Sequence, residues 1–157
     1  NKEEKLSPYA DDSLKVGKGK LEVSYSSPQK RERKLWGKLV PYDQVWRTGA
    51  DEATVFATSS DLIIQGDTLP AAKYSLFTIP TPSEWTVIFN RTWDQWGAFN
   101  YEESQDQLRV SVKPTDNPNE AEGMLLDLQP LEGQKAQLHF EWGRLQWDLP
   151  FKVIPEK

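Results

Sequence analysis

Lys73-Tyr74-Ser75-Leu76-Phe77-Thr78-Ile79, then Pro80-Thr81-Pro82-Ser83, then Trp85-Thr86-Val87-Ile88-Phe89: this stretch decides the fold. Two runs rich in β-branched and aromatic residues flank a Pro-Thr-Pro-Ser segment that suits a hairpin loop. On the return run Trp85, Val87 and Phe89 share one face, and Thr86 and Ile88 share the other.

The same pattern extends in both directions. Upstream, Leu21, Val23 and Tyr25 alternate with Glu22 and Ser24 until Ser27-Pro28 ends the strand. Leu35 to Val40 is a short apolar piece closed by Pro41, ambiguous between a strand and one helical turn. Ala53 to Thr58 and Leu62 to Gln65 read as strands around a Ser59-Ser60-Asp61 turn, and Gly66-Asp67 marks another turn. Downstream, Arg91 to Tyr101 breaks the alternation and reads as a long aromatic loop. Leu108 to Val112 and Met124 to Leu128 are strands, with a Pro/Asn/Asp-rich loop over Pro114 to Glu120 between them. Leu138, Phe140 and Trp142 alternate with polar residues, Gly143 marks a bulge or turn, and Leu145 to Val153 closes the chain.

No segment sustains a helical period. About ten short strands with turns between them predict an all-β protein, an antiparallel, jelly-roll-like β-sandwich. The expected organisation is a mobile N-terminal segment over residues 1–20 and a single domain over residues 21–157.

Composition narrows the function classes. Net charge is −5 over 157 residues, which argues against nucleic acid as a partner. The one basic cluster, Lys30-Arg31-Glu32-Arg33-Lys34, reads as a solvated loop rather than a binding patch. No apolar run reaches the ~18 residues of a transmembrane helix. Cysteine is absent, which removes disulfides, thiolate chemistry and cysteine-ligated metals. His139 is the single histidine and falls mid-strand, where a solvent-face position is expected rather than a triad role. Asp116-Asn117-Pro118-Asn119-Glu120 lacks the ligand spacing of a calcium loop. Neither a metal nor a cofactor is expected.

Seven tryptophans stand out. Trp85, Trp142 and Trp147 follow strand alternation and are expected in the core. Trp93 and Trp96 lie in the polar loop and could stack on a ligand such as a sugar ring. The densest polar cluster is Val45-Trp46-Arg47-Thr48-Gly49-Ala50-Asp51-Glu52-Ala53-Thr54. Arg47 offers a rigid fork suited to carboxylate or phosphate, and Gly49 permits a turn with positive φ. The stretch reads first as a loop anchor, with Arg47 held by Glu52 or Asp51 and Trp46 packed beneath.

Several motifs resemble one bacterial family. Lys38-Leu39-Val40-Pro41-Tyr42 running into Val45-Trp46-Arg47-Thr48-Gly49-Ala50 and Glu52-Ala53-Thr54 is similar to the hallmark of domain of unknown function family 2911. Tyr74 to Pro80, Trp85 to Asn90 and Gln95 to Ala98 resemble its further motifs, in the same order, over about Leu21 to Val153. That family's usual pattern has asparagine at the position of Asp51 and tyrosine at that of Phe99, so a charge at 51 and a hydroxyl at 99 are not required by it. The resemblance implies a bacterial protein exported to the periplasm or lipid-anchored to the envelope after processing, and it implies no activity. The sequence alone leaves a cytoplasmic location open.

The functional expectation is a non-catalytic ligand-binding or interaction module of the bacterial cell envelope. Its partners would be a small molecule, a glycan or an envelope protein. Candidate ligand-binding residues are Trp46, Arg47, Asp51, Glu52, Trp93, Trp96 and Tyr101; no catalytic residue is assigned. The alternative is a hydrolase-like enzyme with Asp51 and Glu52 as acid and base and Arg47 orienting an anionic substrate.

Overall fold

The computed structural model describes residues 7–95, 98 and 100–155. Among these residues ten strands form two antiparallel sheets packed face to face. The first sheet has the order β1 (Tyr9–Val16), β2 (Gly19–Ser26), β3 (Thr54–Thr58), β6 (Ala72–Ile79), β7 (Trp85–Asn90), β8 (Asp106–Val112). The second has the order β5 (Asp67–Leu69), β4 (Leu62–Ile64), β10 (Lys135–Val153), β9 (Thr115–Pro130). The expected β-sandwich is therefore the fold, and no helix among the described residues is long and apolar enough to cross a membrane.

The β6–β7 hairpin sits inside the first sheet, with Leu76 opposite Phe89 and Thr78 opposite Val87. β6 is buried on both faces. Tyr74 and Leu76 face the main core, while Phe77 joins Ala53 and Ile88 in a small second core under Val45, Ala98 and Tyr101. That covering explains why the run is apolar without clean alternation.

β10 doubles back on itself at Gly143, whose φ is 63°. Val153 N donates to Gln134 O at 2.7 Å, and the rings of Phe140 and Trp147 stack at 5.2 Å. The turn expected at Gly143 is thus a hairpin inside one long element. Trp85, Trp142 and Trp147 are fully buried and form the centre of the core.

Two expectations change. Residues 9–16, expected within a mobile segment, form β1, paired with β2 along its whole length. The sequence hides this strand because an aspartate occupies an inward position. Asp12 accepts the backbone N–H of Leu128 at 2.8 Å, and Tyr25 Oη accepts that of Leu126 at 3.1 Å. Both bonds satisfy donors on β9, which is the outer strand of its sheet. Residues 115–120, expected as a loop, are the first part of β9. Pro118 lacks a donor, and the β9–β10 register shifts on both sides of Gly143, so this stretch shows none of the alternation of a regular strand.

Leu35 to Val40 is a tight turn rather than a strand. Leu35 O accepts from Val40 N at 2.9 Å, and Gly37 takes a φ of 84°.

Candidate functional site

The β2–β3 connection, residues 27–53, carries no strand of its own. It is fixed by isolated bridges, one of them between Trp46 and Thr78 at the end of β6. Trp46 N donates to Thr78 O at 2.8 Å, and Thr78 N donates to Trp46 O at 3.0 Å. The Trp46 ring then stacks on Trp142, with centroids 6.1 Å apart and planes 15° apart. Trp36 meets both edge-on, at 6.1 Å and 5.8 Å.

Past Trp46 the backbone turns sharply. Thr48 has a φ of 57° and Asp51 a φ of 59°. A β-branched residue in the left-handed region is strained, typically by about 1–3 kcal/mol. Thr48 is fully buried and its hydroxyl lies 3.1 Å from that of Thr78. Its carbonyl accepts from Thr54 Oγ1 at 2.7 Å. Gly49 does not take a positive φ, contrary to expectation. It is needed because an added Cβ would lie 3.0 Å from Thr54 Oγ1 and 3.1 Å from Ser26 O. The left-handed residues are its neighbours. Asparagine tolerates that conformation best among non-glycine residues, which suits position 51 to a backbone role.

Arg47 does not anchor the loop. Among the described residues its guanidinium makes no ion pair and no hydrogen bond, and its Nε is buried without an acceptor. Asp51 and Glu52 are both exposed. The turn is held by the threonine hydroxyls and backbone bonds instead, including Ala50 N to Ser26 O at 3.0 Å.

Arg47 lines a cleft of about 470 Å³. Trp46, Trp142, Val40 and Pro41 form apolar wall, and Arg31 and Arg33 add two further cations. No aspartate or glutamate is among the described residues that line it. Arg33 is engaged, its Nε donating to Lys30 O at 2.9 Å and its Nη2 to Gln29 O. The Arg31 backbone N–H donates to Glu122 Oε2 at 2.9 Å. Arg31 and Arg33 of the basic cluster, expected as a solvated loop rather than a binding patch, thus line this cleft with Trp46 and Arg47.

The remaining expected site residues lie elsewhere. Glu52 and Trp93 line a different cavity, about 340 Å³, together with Asp94 and the exposed Tyr9. The Lys73 ammonium lies 4.1 Å from the Trp93 ring centroid. Asp51 lines neither cavity. Tyr101 packs on Phe77 at 4.9 Å, its hydroxyl donating to Asp106 at 2.6 Å and accepting from Arg109 at 2.8 Å. Burial, reinforced by the Asp106 bond, pushes its phenol up to about 12. Trp96 lies outside the described residues.

The polar motif residues near the aromatic loop bond mainly to one another, although Gln95 Oε1 is buried without a partner. Gln95 Nε2 donates to Asn90 Oδ1 at 3.0 Å and to Ser75 Oγ at 3.1 Å, and Asn90 Nδ2 donates to Asp106 at 2.9 Å. Such a network holds a loop in place without needing a ligand. Arg47 differs from these residues in that its side chain bonds to none of the described residues.

His139 points outward from the second sheet, yet it is buried between two carboxylates. Nδ1 lies 2.7 Å from Asp148 Oδ1 and Nε2 lies 2.8 Å from Glu141 Oε1. Burial opposes its charge, but the two carboxylate bonds outweigh this and raise its pKa above the usual 6.5. The ring bridges both carboxylates and acts as a structural clamp across the β10 hairpin.

Fold and site together define a class: an all-β sandwich with a basic, aromatic-walled cleft beside a strained turn. The chain belongs to the family described as "Protein of unknown function (DUF2911)", whose model matches residues 7–151. No curated protein and no solved structure gives a match.

Proposed function

We propose that this chain is a non-catalytic ligand-binding module of the bacterial cell envelope, and that its ligand site is the Arg47 cleft. The observation that carries this reading is the unpartnered guanidinium of Arg47 in a cleft with no carboxylate among its described lining residues. A half-buried guanidinium bonded to none of the described residues is open to a group that accepts from its outer edge.

Three further features support the reading. The cleft volume of about 470 Å³ suits a small organic molecule. Its wall is rigid, because Trp46 is stacked on one side and bridged to β6 on the other. The strained Thr48 beside it is held by buried hydroxyls, a pattern common where a loop must keep one shape for a ligand. Export to the envelope rests on the family resemblance.

Hydrolysis by Asp51 and Glu52 would require both carboxylates and Arg47 to open on one cavity. Arg47 and Glu52 line separate ones.

The test is a thermal-shift screen of small molecules of mixed charge, followed by tryptophan-fluorescence titration of hits. The comparison protein is Ala50→Trp, which fills the cleft. Hits that bind wild type and lose binding to a folded Ala50→Trp variant support the reading. Hits that bind both equally, or a screen without hits, overturn it.

A further inference from the structure

We infer that the cleft ligand presents a single carboxylate to Arg47 and lays a flat, unsaturated body against the apolar wall made by Trp46, Val40 and Pro41. This rests on the binding-module reading and specifies its ligand class.

The charge follows from the lining. Three arginines line a space with no acidic side chain among its described residues, in a chain whose net charge is −5. The cleft is therefore a local positive field on an acidic protein, and it selects anions over neutral or cationic molecules. The number of charges follows from how the three cations are engaged. Arg33 is bound to the carbonyls of Gln29 and Lys30. Arg31 is not free either, since it has partners of its own. Arg47 is the lining cation whose side chain makes no hydrogen bond or ion pair to the described residues. One free planar fork matches one planar carboxylate, whereas a phosphate dianion would call for further free donors.

The body of the ligand follows from the wall. The half-buried Trp46 borders the cleft beside Val40 and Pro41, and the buried Trp142 ring stacks on it, nearly parallel at 15°. A ring or conjugated chain gains apolar contact there, and an aromatic one gains about 0.5–1.5 kcal/mol more from ring geometry. Neither feature alone selects a ligand. Together they select an aromatic or conjugated carboxylic acid.

The experiment is isothermal titration calorimetry of the full chain with three probes: 2-naphthoate, its neutral amide 2-naphthamide, and inorganic phosphate. The expected result is that naphthoate binds about tenfold or more tighter than naphthamide, the range of one charge-assisted hydrogen bond. Arg47→Gln should erase that difference, and Arg47→Lys should restore part of it. Inorganic phosphate should bind more weakly than naphthoate. Equal affinities for the acid and the amide would overturn the carboxylate assignment while leaving the binding module intact. Phosphate matching naphthoate would overturn the role given to the apolar wall. Silence from all three probes would also overturn the inference, and uncharged hits from the wider screen would then show whether the binding-module reading survives separately.

Discussion

The hydroxyl oxygens of Thr48 and Thr78 lie 3.1 Å apart in a fully buried contact between the β2–β3 connection and strand β6. Thr48 is held there at a φ of 57°, a conformation that a β-branched residue does not adopt unaided. The pair fixes the turn that presents Arg47. The long connection thus keeps one shape without help from the arginine it carries.

Replacing one hydroxyl of this pair leaves the other buried without its partner. Thr48→Val should lower unfolding free energy by about 1–3 kcal/mol. Thr78→Val should cost less in the Thr48→Val background than in wild type, because the interaction is already gone. Urea denaturation of the four proteins of this cycle measures it; strict additivity would remove the contact from the explanation.

Gly49 and Asp51 should respond in opposite ways. Gly49→Ala places a Cβ 3.1 Å from Ser26 O and should destabilise by about 1–3 kcal/mol. Asp51→Gly relaxes a left-handed residue on the exposed side of the turn and should be neutral or slightly stabilising. Thermal unfolding of both variants checks the ordering. A destabilised Asp51→Gly would point to a charge or side-chain role that the geometry does not provide.

The His139 clamp makes stability depend on pH in a defined direction. Its folded pKa is raised above 6.5, with burial opposing and the Glu141 and Asp148 bonds prevailing. Its contribution is therefore fully present below the unfolded value of about 6.5 and is lost as pH rises through the folded value. Asp127 also faces it, and the Asp127 carboxyl is itself raised by burial, with His139 opposing that rise. The stability gap between wild type and His139→Gln should be largest in mildly acidic solution and should shrink as pH rises. A gap that widens with pH would contradict the clamp.

Tyr101 was a candidate for the ligand face, and the structure places it in the small second core instead. Tyr101→Phe should cost stability, by about 0.5–2 kcal/mol, through the lost Asp106 bond. It should leave cleft binding unchanged. In wild type its phenol should ionise near pH 12, above the ordinary tyrosine range. Loss of ligand binding in Tyr101→Phe would show that the site extends to this loop.

These contrasts show what the sequence could and could not convey. Strands with one apolar face were legible: Leu21, Val23 and Tyr25 on β2, and Leu138, Phe140 and Trp142 on β10, alternate with polar residues that face away from the core. The buried tryptophans were legible for the same reason. Strand β1 was not, since Asp12 occupies an inward position to serve a backbone donor 116 residues away. The first part of β9 was not, because Pro118 and a shifted register look like a loop when read locally. The site was half legible. Trp46 and Arg47 could be singled out by type, but Arg31 and Arg33, which line the same cleft, read as a solvated loop. That Arg47 and Glu52 face different cavities is a property of the turn between them, and Thr48 and Asp51 gave no sign of their left-handed backbone. An arginine near two carboxylates in sequence suggests an ion pair; only the fold shows that they diverge.

The most direct measurement is thermal unfolding of wild type and Arg47→Gln, each with and without 2-naphthoate. Without ligand the two should melt within about a degree or two of each other, as expected for a side chain with no partner to lose. With ligand, the melting temperature of wild type should rise and that of Arg47→Gln should not. A ligand-free Arg47→Gln that melts many degrees lower, with the same ligand-induced rise as wild type, would make Arg47 a structural anchor and contradict its role in binding.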